Sequence, residues 1–150
     1  MTQYYLLAAL HHLAVFSLVG VLVAELVSVR PGLDAAALRR LGILDAHYGA
    51  LALVVLAVGF ARVYFGLKGP DFYWSNPYFH AKLTAFILVG LMSITPTIRI
   101  AHWRRAAAKD PQALPDASAI AGVRSWLIAQ IVVLAIVPVA AVGLGLGLGT

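Results

Sequence analysis

The chain has 150 residues, of which 62% are hydrophobic and 11% charged, and its mean hydropathy is +0.91. That composition excludes an ordinary soluble domain and suits one helical membrane domain. The net charge of +5 does not signal nucleic-acid binding, because the basic residues gather in connections beside apolar runs; the absence of cysteine excludes disulfides, thiol catalysis and cysteine-ligated clusters.

The first apolar run covers residues 4–29. It lacks a basic leader, exceeds a signal-peptide core in length and is followed by no small-x-small cleavage pattern, so it is expected to span the membrane. Further spans are expected at 43–65, 77–100 and 120–148, each long enough for a hydrocarbon core of ~30 Å. They must be helices, because lipid offers the backbone no hydrogen-bond partners. Asp34 and Asp116 suit N-caps, and Asn76 before Pro77 suits a cap followed by a first helical residue. Pro96, within Ser93-Ile-Thr-Pro-Thr97, and Pro138 each remove a backbone bond and should kink the third and fourth spans. Gly143, Gly145, Gly147 and Gly149 give small-xxx-small spacings suited to close helix contact or a homo-oligomer. The expected fold is all-α, an antiparallel bundle of four transmembrane helices.

Charge sets the expected orientation. The first connection carries Arg30, Arg39 and Arg40, and the third carries Arg99, Arg104, Arg105 and Lys109, with Arg124 just beyond. The middle connection has only Lys68. The positive-inside rule then puts both termini and the aromatic middle connection outside. The string Phe16-Ser-Leu-Val-Gly20-Val-Leu also resembles Phe86-Ile-Leu-Val-Gly90-Leu-Met, as a duplicated helical hairpin would.

The candidate site residues are the few ionisable groups within these spans, since such groups normally pair, face the interior or mark a site. Toward the outer side lie His11, His12, Arg62, His80 and Lys82. Only one of His11 and His12 can face inward, because neighbouring helical residues diverge by about 100°. Phe16, Val19 and Val23 continue the face of His12, which favours His12. Imidazoles of His12 and His80, on diagonal helices, would suit ligation of a haem iron, with Arg62 and Lys82 neutralising its propionates. The plainer alternatives are helix–helix hydrogen bonds for the histidines and snorkelling for the two cations. At the inner side Glu25, Asp45, His47, Arg99 and His102 form a second polar group. Pairs of Glu25 or Asp45 with Arg99 would anchor that end, or the histidines would serve a proton path or second cofactor.

Several strings resemble a bacterial family of four-helix membrane proteins of unknown function: Leu10-His-His-Leu-Ala-Val-Phe16, Gly59-Phe-Ala-Arg-Val-Tyr64, Asn76-Pro-Tyr-Phe-His-Ala-Lys82 and Ser93-Ile-Thr-Pro-Thr97. The resemblance implies a multi-pass protein of the bacterial inner membrane and brings no activity. His12 and His80-Ala-Lys-Leu83 are more loosely similar to elements of membrane protoporphyrinogen oxidases and copper-resistance D proteins. That likeness implies b-type haem and oxidation of a porphyrin or quinone, by analogy alone. Three functions follow as expectations: a haem-dependent membrane oxidoreductase, a non-enzymatic subunit or assembly factor, and a small-molecule or ion carrier using Arg62 and Lys82.

Overall fold

The computed structural model describes residues 2–149 and is helical throughout its spans. Its elements are α1 (Thr2–Ser28), α2 (Ala35–Phe65), α3 (Gly69–Ser75), α4 (Pro77–Lys109), α5 (Ala117–Leu134) and α6 (Ile136–Gly145). Four stretches are long and apolar enough to cross a membrane: α1, α2, α4 and the continuous run Ala117–Gly145. The backbone of α1 neighbours α2 and α5, while that of α4 neighbours α2, α5 and α6. Thus α1 and α4 stand on one diagonal of the bundle, and α2 and α5 on the other.

Local chemistry fixes where these helices begin. Asp34, Asn76 and Asp116 cap α2, α4 and α5, accepting from the backbone N–H groups of Ala37, Tyr78 and Ala119 at 2.6, 2.9 and 2.7 Å. Each bond satisfies one donor that a first helical turn leaves orphaned. α2 begins at Ala35, directly after its expected cap and ahead of the span expected at 43–65, because alanines favour helix and Leu38 and Leu41 bury inward. α4 runs on past residue 100 to Lys109, burying Trp103 and Ala107. At 1.5 Å per residue these two helices are about 46 and 50 Å long, so their arginine-bearing ends project beyond a ~30 Å core.

The two prolines act differently. α4 continues through Pro96. The fourth span is interrupted at Ala135, where α5 ends and α6 begins. Pro138 has no N–H for the Leu134 carbonyl, which is where the ladder breaks.

The core is a stripe of aliphatic side chains centred on Leu18, Leu22, Leu38, Leu127 and Val89. The large apolar residues Leu13, Phe16, Val27, Leu53 and Val132 are exposed on the outside of the bundle, as lipid-facing side chains should be. Gly143 belongs to the interior: a Cβ built there would stand 2.5 Å from the Tyr78 ring, so this glycine serves contact between α6 and the chain's own α4. The strings around Phe16 and Phe86 do not present equivalent faces, since Phe16 and Val19 are exposed while Phe86 is half-buried and Val89 buried.

Candidate functional site

The side chains that α1 sends into the bundle are Ala14, Leu18, Leu22 and Glu25, at helical spacing. His11 begins that stripe. Its half-buried ring lies on Gly59 of α2, where a Cβ would come within 3.3 Å of the imidazole Cε1, so glycine sets how closely the ring approaches. Among the described residues the buried His11 Nδ1 has no partner in good hydrogen-bond geometry, and the Val55 carbonyl is the acceptor that faces its ring.

His12 is the outward residue of the pair, which corrects the expectation from sequence. It is exposed, and its Nδ1–H donates to the Ala8 carbonyl one turn earlier, at 2.7 Å. Phe16, Val19 and Val23 continue its face, and all three are exposed, Phe16 by 72%. The bilayer reverses the soluble-protein rule here, because large apolar side chains can lie against lipid.

His80 is exposed as well. Its Nε2–H donates to the Trp74 carbonyl at 2.9 Å, and its ring lies against Trp74 and Phe79 with centroids 6.1 and 5.8 Å away. These contacts hold the corner between α3 and α4, and His80 does not line the cleft described next. The Asn76 side chain secures the same corner by donating from Nδ2 to the Leu148 carbonyl at 3.0 Å.

A cleft of about 300 Å³ opens at this α3 end of the bundle. His11, His12, Arg62, Lys68, Tyr73 and Lys82 supply its polar lining, with Ala141, Leu144 and Gly145 of α6 as an apolar wall. Among the described residues no carboxylate lines it. Lys68 is held in place, its Nζ donating to the Leu144 carbonyl at 3.3 Å and standing 4.2 Å from the Phe72 ring centroid. Lys82 reaches over Phe79, 5.7 Å from its centroid. Below the cleft lies an apolar slot of about 70 Å³ between Val15, Leu18, Leu56, Phe60 and Phe86. His11 and Lys82 line both spaces, so polar mouth and apolar slot share a wall. Cations gathered beside lipid without acidic partners favour an anion among them.

The inner residues arrange themselves otherwise than expected. Asp45 Oδ1 accepts from the Thr97 hydroxyl at 2.7 Å rather than from Arg99. The exposed Arg99 lies instead along α5, where its Nη1 would stand 2.9 Å from a Cβ on Gly122. His47 and His102 are exposed, with the His47 Nδ1–H donating to the Ile43 carbonyl at 2.7 Å. Glu25 is fully buried, near Asp45 and Tyr48, while the Tyr48 hydroxyl donates across the other diagonal to Gln130 at 3.4 Å. Arg124 closes this end by donating from Nη1 to the Leu26 and Val29 carbonyls at 2.9 and 2.7 Å.

Of the outer candidates, His11, His12, Arg62 and Lys82 share the cleft and His80 stands apart. Lys68, Tyr73 and Gly59 were not legible as site residues. Lys68 offered one signal, being the only basic residue of an aromatic connection.

A family model described as "Predicted membrane protein (DUF2214)" matches residues 3–149. No curated protein and no solved structure matches the chain. With a four-span helical fold and a match over nearly its whole length, the chain belongs to this family of membrane proteins of unknown function.

Proposed function

We propose that the protein binds an anionic amphiphile drawn from the bilayer. Arg62, Lys68 and Lys82 receive the charged head, and the slot beside Phe60 and Phe86 takes the part of the apolar body next to it. What supports this reading is the continuity between a cationic cleft, lined by no carboxylate among the described residues, and an apolar slot, joined at His11 and Lys82. Ligand sites commonly combine an apolar lining with a few convergent polar groups in this way. By the positive-inside rule the cleft faces outward. A carrier, or a subunit that presents such a molecule, would use this arrangement.

Haem, with a flat apolar body and two carboxylates, falls in the same chemical class. His12 favours it, because a ring whose Nδ1–H is fixed on the Ala8 carbonyl leaves Nε2 for a metal. One feature opposes a bis-histidine fit as the side chains are packed: His80 has committed Nε2 to the Trp74 carbonyl. The anion reading is therefore preferred, with no step assigned to iron.

The test is equilibrium binding of a fluorescent single-chain fatty acid to detergent-purified protein. Arg62→Gln and Lys82→Gln should each weaken binding about tenfold or more, the loss of one charge-assisted contact. An alcohol of the same chain length should compete poorly. Equal binding by the variants, or equal competition by the alcohol, overturns the proposal. Haem added to the same protein adds a second outcome: a Soret band lost in His12→Ala would transfer the site to the haem reading.

A further inference from the structure

The opposite end of the bundle carries a second cationic cleft, separate from the first. Arg39 of α2 and Arg104 and Arg105 of α4 line a space of about 270 Å³, floored by Ala35, Ala107 and Ala108. The small floor residues leave room between the two helices. Arg104 is laid across α2 at Gly42, where a Cβ would stand 2.8 Å from its Nη1, so one guanidinium is held in place by packing. Among the described residues no carboxylate lines this cleft, although Asp45 lies close enough to Arg104 to feel its charge, which leaves Arg39 and Arg105 as the uncommitted pair.

We propose that it binds the phosphodiester head of an anionic phospholipid. Guanidinium groups donate in a planar fork that matches phosphate oxygens, and three from facing helices can surround one head. The position points to a lipid rather than a free ion. α2 and α4 are longer than a hydrocarbon core, and their arginine-bearing ends lie where head groups would be. Moving from the cleft toward the bilayer, the same helix faces turn apolar. Ile43 stands one turn beyond Arg39 and is 54% exposed, while Ile98, two turns back from Arg105, is 63% exposed. Ile94 and Leu91 continue that track on α4. Acyl chains would follow these residues while the phosphate occupies the arginines. Basic pockets between transmembrane helices bind lipid heads in this manner.

Delipidated protein in neutral detergent, titrated separately with phosphatidylglycerol, phosphatidylcholine and inorganic phosphate, provides the test. Thermal unfolding reports stabilisation, and native mass spectrometry counts retained lipid. Phosphatidylglycerol should raise the unfolding midpoint and stay bound in the spectrometer. The double variant Arg39→Gln/Arg105→Gln should bind it at least roughly tenfold more weakly. That variant keeps Arg104 on Gly42, and lipid counting remains informative if its stability falls. The same loss should occur in a Lys82→Gln background, which separates this cleft from the one at the α3 end. Unchanged lipid retention in the double variant overturns the proposal. So does equal stabilisation by phosphatidylcholine, and so does an effect reproduced by inorganic phosphate alone, which would assign the arginines to a free anion.

Discussion

At Glu25 a carboxyl group is enclosed with 1% of its surface exposed, and its Oε1 has no hydrogen-bond partner. A buried polar atom left unsatisfied costs about 1–3 kcal/mol, and an apolar side chain of similar length removes that cost. Glu25→Met should therefore raise stability by about that amount, read as a higher unfolding midpoint in detergent. A lower midpoint would show that the carboxyl is partnered in the membrane. The histidine pair toward the other end of α1 shows where sequence reasoning reached its limit. The 100° separation of His11 and His12 was plain, and so was the fact that only one could turn inward. Which one did so depended on whether Phe16, Val19 and Val23 were core or lipid face. Apolar character cannot decide that in a bilayer, where both surroundings are hydrocarbon. Glu25, lying on the His11 face, was the better guide, because an ionisable group has to turn away from lipid.

Among the elements, helix starts were the most legible features. Asp34, Asn76 and Asp116 each cap the helix that follows, because a short side-chain oxygen beside orphaned N–H groups is a strictly local arrangement. Helix lengths were less legible: α2 and α4 extend past their apolar runs on polar residues and alanines, which hydropathy does not count. At α5 the cap carries a pH dependence. The Ala119 backbone N–H, and then the Ser118 hydroxyl, hold the exposed Asp116 carboxyl below its ordinary range. A group with a depressed folded-state pKa stabilises above its unfolded pKa, here about 3.9, and the contribution is lost as pH falls through the folded value. Acidification below about pH 4 should thus fray the first turn of α5, once amide exchange at Ser118–Ile120 is corrected for its intrinsic pH dependence. Asp116→Asn, which keeps a capping oxygen without the titration, should abolish that response.

For the whole molecule, four spans follow from composition and hydropathy, whereas the two cationic clefts come from packing that no linear pattern records. Lys68 illustrates the difference, since its place in a cleft depends on the Leu144 carbonyl, distant in sequence. Orientation is open to direct measurement because the chain has no cysteine to give a background. Ser75→Cys and Ala108→Cys place single thiols at exposed positions on opposite ends. In intact cells a membrane-impermeant maleimide should label the first and spare the second until the membrane is opened; the reverse pattern would invert the topology.

The lost backbone bond near Ala135 bears on the cleft at the α3 end. Three of the cleft's wall residues, Ala141, Leu144 and Gly145, ride on α6, ten residues that follow α5 through Ala135, which keeps helical dihedrals and an N–H hydrogen bond to the Ile131 carbonyl. Only the bond that Pro138 cannot make to the Leu134 carbonyl is missing between that wall and α5, whose Gln130 meets Tyr48 inside the bundle. The lining that α6 contributes is thus fixed in line with the fourth span, one backbone bond short of an unbroken ladder.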